Sequence, residues 1–418
     1  MYMDNNKMKK PTINIIGEIF GITGYDSHTR NLANALSKFT DCKISTKLPQ
    51  NWERLVNDAE FKMIMNKDER YDYNLIISTP HNWRLYTGLG KNIGYCVWEG
   101  DKVPESWIDD MLNPDIDLIF VPSEHTKQAI WNTYWKGSNY EYMNKKVLKN
   151  KPDKEFWNKI KIIPHGVNTN LFYECKVKEK DKPFRFICNK GWRGTNWDRG
   201  GVQYLLKAFA EEFKKDEKVE LIVKLNPCYM NPAILQQSID ALQLPIDRAP
   251  INVILSDIPY NELVNLYNKA DCFITPTRCE SFGLPGLEAM ACGLPTIQTC
   301  YGGQTDYMTN KNSLFIEYKL DEVKDDMMYE SISWATPNIK HLKSQMRWAF
   351  NNQKKIKQMG IQALKDSKKW TWDISAKKII KVLSQSGGSK RINKTLKPAL
   401  VIESADETRY NFKKIKKN

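Results

Sequence analysis

Two glutamates stand eight positions apart in the segment Glu280-Ser-Phe-Gly-Leu-Pro-Gly-Leu-Glu288-Ala-Met-Ala-Cys-Gly293-Leu-Pro295. An apolar run that reads as a buried strand precedes the segment, and a stretch that reads as a helix follows its Gly-Leu-Pro-Gly turn. Glycine in such a turn lets a ligand approach the main chain closely. The helix start aims unpaired N–H groups and a positive dipole at the same place. An anionic diphosphate suits that position, and carboxylates beside it can accept hydrogen bonds from sugar and ribose hydroxyls. An ordinary N-capped helix with surface glutamates does not account for the carboxylates and the turn together.

Basic residues occur in a second loop, Asn189-Lys-Gly-Trp-Arg193-Gly-Thr-Asn-Trp-Asp-Arg199-Gly-Gly201, between another strand and another helix. The carboxyl edge of an open α/β sheet is where ligands normally bind. Arg193 and Arg199 there can neutralise a diphosphate, although a solvated basic loop would look the same. A third strand-to-helix turn, Gly17-Glu-Ile-Phe-Gly21-Ile-Thr-Gly24-Tyr25, leads into a helix containing Arg30. Alone it is weak, because any dinucleotide-type α/β unit has one.

These turns must be carried by alternating strands and helices, the pattern of parallel sheets covered on both faces. Strands are predicted at 12–20, 74–79, 93–97, 118–121 and 161–164. The pattern restarts near Pro183, with strands at 184–188, 219–225, 252–255, 272–276 and 296–299. Helices are predicted at 201–213, 261–269 and 286–291, and a last one at 370–383. The boundaries are 1–175 for a first domain, 176–370 for a second, 371–384 for a terminal helix crossing back to the first, and 385–418 for a basic tail.

The chain has 418 residues, 41% of them hydrophobic, enough for two cores. Its start, MYMDNNKMKK, has no apolar signal stretch, and no run of about 18 apolar residues suggests a membrane span. Nine cysteines without CxxC spacing fit reduced thiols in a cytoplasmic protein. The net charge is +14, and residues 377–418 hold twelve Lys/Arg against three acidic residues. Such a block suits a solvated tail or attraction to a polyanion, which would place the protein peripherally on membrane or nucleic acid.

The Glu280–Glu288 segment resembles the E-x7-E region of the retaining family-4 glycosyltransferases, and the resemblance runs from about residue 12 to 384. It implies the GT-B architecture, an α/β fold of two Rossmann-like domains whose parallel sheets face each other across a cleft. It further implies that Glu280 contacts the transferred sugar and Glu288 the ribose. The N–H groups of Phe282, Gly283 and Leu284 would bind phosphate or sugar oxygens. Family members carry an Arg and then a Lys before Gly to neutralise the leaving diphosphate; Arg193 fits the first and Arg199 replaces the second. The loop with Gly21, Gly24 and Tyr25 is similar to the one that closes over the donor phosphates. Gly94-Tyr-Cys-Val-Trp98-Glu99-Gly100 is similar to the acceptor side, with Trp98 and Glu99 where many relatives have a histidine. Either Glu99 or His81 could touch the reacting groups. Ile163-Pro-His-Gly-Val-Asn168 resembles the family's interdomain hinge, and residues 254–258 correspond to the nucleobase region.

The function implied is retaining transfer of a sugar from a nucleotide-sugar, a co-substrate and not a cofactor, to a hydroxyl. No Asp-x-Asp metal site is evident, since Asp115-Ile-Asp117 leads into a strand. Between Trp131 and Lys161 eight lysines face three acidic residues among seven aromatics. Those aromatics could stack on bases, anchor at a lipid headgroup surface, or pack inward. A polyanionic acceptor fits: a hydroxylated or hydroxymethylated DNA base, an anionic lipid or a cell-wall glycan. The other reading is a nucleic-acid-binding protein on the same scaffold without transferase activity.

Overall fold

The computed structural model describes residues 10–21, 23–68, 70–135, 154–175, 181–194, 198–324, 329 and 331–386. Most of the basic tail, the centre of the lysine-rich 131–161 stretch and positions 195–197 lie outside the described residues.

The first half contains β1 (Ile13–Ile16), α1 (Gly24–Leu36), β2 (Cys42–Ser45), α2 (Asp58–Met65), β3 (Tyr73–Ile77), β4 (Lys91–Tyr95), α3 (Glu105–Met111), β5 (Leu118–Val121), α4 (Glu124–Trp135), α5 (Lys154–Lys159) and β6 (Ile160–Ile162). All its strands pair in parallel in the order β2-β1-β3-β4-β5-β6. β3 and β5 are buried along their whole length, as strands covered on both faces must be. α1 starts at Thr23 with a reciprocal cap, because Thr23 accepts from the Asp26 N–H while the Asp26 carboxylate accepts from Thr23.

The second half contains β7 (Phe184–Lys190), α6 (Val202–Glu212), β8 (Val219–Leu225), α7 (Pro232–Ala241), β9 (Ile251–Leu255), α8 (Tyr260–Lys269), β10 (Cys272–Thr275), α9 (Leu284–Ala291), β11 (Thr296–Thr299) and β12 (Ser313–Ile316). Its parallel order is β12-β11-β10-β7-β8-β9. An antiparallel hairpin of β13 (Tyr318–Glu322) and β14 (Ser333–Pro337) follows, then α10 (Ile339–Asn351), α11 (Gln353–Ser367) and α12 (Trp372–Gln385).

One apolar cluster, with Phe186, Leu205, Phe209 and Leu221, fills one face of the second sheet. Another, with Ile187, Tyr267, Phe282 and Leu287, fills the other face. α12 returns to the first half: Trp372, Ala376, Ile379 and Leu383 join the cluster of Ile15, Leu32 and Leu75. The Tyr73 hydroxyl donates to the Leu383 carbonyl at 2.9 Å, and Ser375 Oγ donates to the Pro164 carbonyl at 2.6 Å. A further cluster spans both halves, packing Trp98, Val103 and Trp107 against Cys279, Tyr329 and Trp334.

The structure departs from the sequence expectation at several elements; β2, β12, α10 and α11, for example, were not expected, and β4 runs over 91–95 where 93–97 was expected. β1 ends at Ile16, four residues before the expected 20, because Gly17 already begins the turn into α1. β7 runs on to Lys190, two residues past 188, in register with β8. The β13–β14 hairpin was not anticipated; β13 is almost wholly exposed, and the alternation of Tyr318 and Leu320 with polar residues is too short to mark a strand.

Candidate functional site

The turn between β10 and α9 is built around Gly283, which caps the helix at φ 80°. Residues with a Cβ rarely adopt that conformation. A Cβ there would also stand 2.9 Å from the Tyr307 hydroxyl, which donates to the Gly283 carbonyl at 2.7 Å. Phe282 is fully buried against His165, Tyr307 and Trp370. The turn is pinned further by Gly303 N–H donating to the Glu280 carbonyl at 2.7 Å, and by Ser123 Oγ of the first half donating to the Ser281 carbonyl at 2.7 Å. Its carbonyls are therefore occupied. The N–H groups of Phe282, Gly283 and Leu284 have no acceptor among the described residues, and they lie at the positive end of α9.

Glu280 does not stand alone. Lys190, the last residue of β7, forms an ion pair with its Oε1, and Thr277 Oγ1 lies 3.4 Å from the same oxygen. The pair is largely shielded, with side-chain exposures of 12% for Lys190 and 18% for Glu280. Burial lowers the Lys190 pKa from the usual lysine value, with Cys279, Cys188 and Asp198 opposing. Sequence reasoning did not select Lys190; ending the strand two residues early hid that it occupies the sheet's carboxyl edge.

The following loop is closed by Asp198, which accepts from Arg193 N–H at 2.9 Å and Gly200 N–H at 2.7 Å. Burial raises the Asp198 pKa, against those hydrogen bonds and the nearby cations. Arg193 is exposed. Arg199 turns toward the first half and forms an ion pair with Glu99.

Glu288, on α9, accepts from the Tyr267 hydroxyl at 3.5 Å, and Asn189 Nδ2 donates to the same hydroxyl oxygen at 3.0 Å. Burial pushes the Glu288 carboxyl up to about 7, partly offset by Tyr267 and Lys224. Glu288, Leu284 and Tyr260 of the second half line a cavity of about 340 Å³, together with Gly21, Thr23 and Arg30 of the first. Gly21 thus shares this cavity with the start of α9, and its N–H donates to Asp26 at 2.8 Å. A side chain at Gly24 would meet nothing within 4 Å. Tyr25 is turned away, its hydroxyl donating to the Val97 carbonyl at 3.2 Å, and burial raises its pKa above the usual tyrosine value.

After β4 Glu99 is only 8% exposed, and the Tyr329 hydroxyl donates to its Oε1 at 2.6 Å. Trp98 is packing: it is buried, stacked on Tyr329 at 4.9 Å and edge-on to Trp107 at 4.8 Å. His81 is exposed in the turn after β3, its ring near Thr79 Oγ1. Tyr329 was missed, since no motif surrounds it. The structure thus gathers Gly21, Leu284 and Glu288 around one cavity, and joins Glu280 to Lys190 and Glu99 to Arg199. His81 and Tyr25 are not drawn into those contacts. Among the described residues there is no group of three His, Cys, Asp or Glu that could hold a metal ion. The Asp117 carboxylate accepts from the Asn92 N–H at 2.9 Å, a role in tying strands together. No helix of the described residues is long and apolar enough to cross a membrane.

The chain is similar to known proteins over part or most of its length. Residues 198–366 match the family model for glycosyl transferases group 1. The putative glycosyltransferase 45 of Sulfolobus islandicus filamentous virus is 24% identical over 246 residues, 59% of this chain and 59% of the relative. The D-inositol 3-phosphate glycosyltransferase of Corynebacterium jeikeium is 32% identical over 154 residues, 34% of this chain and 36% of the relative. The chain thus spans between about a third and three fifths of these two curated relatives. Among solved structures, sucrose-phosphate synthase from Thermosynechococcus elongatus superposes with a TM-score of 0.62 at 16% identity, over 90% of this chain and 99% of that one. The Anabaena protein HepE in complex with UDP and glucose superposes with a TM-score of 0.60 at 13% identity, over 90% and 100%. The chain has the GT-B fold, and residues 198–366 of its second half are similar to the glycosyl transferases group 1 family.

Proposed function

We propose that this protein is a glycosyltransferase that moves a sugar from a nucleoside-diphosphate sugar to a hydroxyl acceptor, with retention of anomeric configuration. The observation that carries the reading is the α9 turn. Free N–H groups at a helix start, Glu280 and Glu288 belong to one segment; Leu284 and Glu288 line the interdomain cavity, and Glu280 is paired with Lys190. Leaving-group charge is best stabilised by fixed donors and cations that need no rearrangement as the charge grows. Glu280 accepts from sugar hydroxyls, Glu288 from the ribose, and Arg199 and Arg193 draw charge from the diphosphate. Gly21 and Gly24 belong to the loop that closes over it. The UDP-glucose bound in a second HepE structure is of the chemical class this turn suits.

The acceptor is read as polyanionic, a modified DNA base, an anionic lipid or a cell-wall glycan, on the strength of the +14 net charge and its concentration near the end of the chain. Incubation with UDP-, GDP- and ADP-sugars, followed by mass analysis of the released nucleotide, tests the donor. Release of a nucleoside diphosphate from one of them is expected. If none is consumed and none shifts the melting temperature, the transferase reading fails. Binding of duplex DNA that weakens steeply with salt would favour nucleic acid as acceptor, and salt-insensitive or absent binding would exclude it.

A further inference from the structure

Lys224 is a lysine in an unusual place. Along β8 the residues Val219, Leu221, Val223 and Leu225 point into the core cluster of one sheet face. Alternation puts Lys224 on the other face, with Ile222, which packs against the cluster of Tyr267 and Leu287. Its neighbours in register are Asn189 on β7 and Ile254 on β9, all close to the carboxyl edge of the sheet. Asn189 bonds Tyr267, and Tyr267 bonds Glu288, so the lysine lies beside a hydrogen-bonded row that ends on the candidate ribose carboxylate.

The residue is only 8% exposed, yet its ammonium has no hydrogen-bond or ion-pair partner among the described residues. Lysines this covered are normally paired. Burial lowers its pKa, opposed by Asp257, Cys228 and Glu288 acting from a distance. An ammonium carries three donors and no acceptor, so what completes it must offer lone pairs. The diphosphate's place is the start of α9, whereas Lys224 sits two strands away from β10, between Asn189 and β9.

We infer that Lys224 donates to an acceptor oxygen of the donor's nucleoside, an inference that rests on the transferase reading above. The work is then divided: Glu288 receives hydroxyl hydrogens, Lys224 supplies hydrogens to oxygen, and neither is needed for the phosphates.

The test uses the full chain and its Lys224→Met and Lys224→Gln variants, titrated calorimetrically with UDP, GDP, ADP and inorganic pyrophosphate, with melting curves to confirm folding. For the nucleotide that the unmodified chain prefers, both variants are expected to bind about 10- to 100-fold more weakly, the effect of losing a charge-assisted hydrogen bond. Pyrophosphate affinity should stay within about twofold, and Lys224→Arg should recover part of the loss. Nucleotide affinity within about twofold of the unmodified chain would overturn the inference. An equal loss for pyrophosphate would do so as well, since the lysine would then belong to the diphosphate cradle. Failure of the unmodified chain to bind any of the nucleotides would instead strike at the transferase reading itself.

Discussion

Glu99 follows β4 in the first half, Arg199 precedes α6 in the second, and the two side chains form an ion pair across the boundary. The Tyr329 hydroxyl holds the same carboxylate oxygen at 2.6 Å, and its ring stacks on Trp98. Arg199, a cation proposed to meet the diphosphate, is therefore engaged by the Glu99 carboxylate. A donor must compete with Glu99 for it. Removing the competitor's charge shifts that equilibrium toward the nucleotide.

Glu99→Gln should thus tighten nucleoside-diphosphate binding on the order of threefold to tenfold, and Tyr329→Phe should do so more weakly. Calorimetric titration with UDP and GDP checks both. Weaker binding by Glu99→Gln would mean that the carboxylate holds Arg199 in its working position instead.

The Lys190–Glu280 pair leads to a kinetic expectation. Glu280→Gln should lower kcat about 10²- to 10³-fold while nucleotide affinity changes about threefold or less, the pattern of an interaction used in the transition state. Lys190→Met should lower kcat and also the melting temperature, because it leaves a shielded carboxylate without its counter-charge. Single-turnover rates beside melting curves separate the two effects.

Glu288 makes the site sensitive to pH. Its carboxyl sits at about 7 in the folded chain, above the ordinary 4.5, because burial disfavours the charged form. Its contribution to stability is therefore fully present below the ordinary carboxylate range and is lost as pH rises through about 7. Ribose hydroxyls need the ionised form as acceptor, so nucleotide affinity should rise from pH 6 to pH 8, with proton release on binding near pH 7. Glu288→Gln should flatten that profile and remove the loss of melting temperature that develops between about pH 4.5 and 7. A parallel pH dependence in Glu288→Gln would count against this carboxylate as its source.

Gly283 tests the geometry of the turn. Alanine there must adopt φ 80° and meet the Tyr307 hydroxyl at 2.9 Å. Gly283→Ala should cost about 1–3 kcal/mol of stability. It should weaken pyrophosphate and nucleotide binding together, as the N–H groups of 282–284 move. Unchanged binding of both would show that these groups do not hold the anion.

The sequence alone determined the alternation of strands and helices, the restart of the pattern before β7, and the two glutamates around a glycine turn. Such features are local: apolar runs bounded by glycine and proline, and a fixed spacing of eight residues, are legible without knowing what packs against what. Tertiary structure decided the rest. Lys190 meets Glu280, ninety positions away, because β7 and β10 are neighbours in the second sheet. Tyr329 reaches Glu99 because the β13–β14 hairpin lies on the first half, with Ser333 N–H donating to Asp101 at 2.7 Å. Arg193, equal to Arg199 as a letter, stays exposed because Asp198 closes the loop through the Arg193 and Gly200 N–H groups, while Arg199 faces the first half. Pairings between distant segments depend on sheet order and domain contact, and no local spacing encodes them.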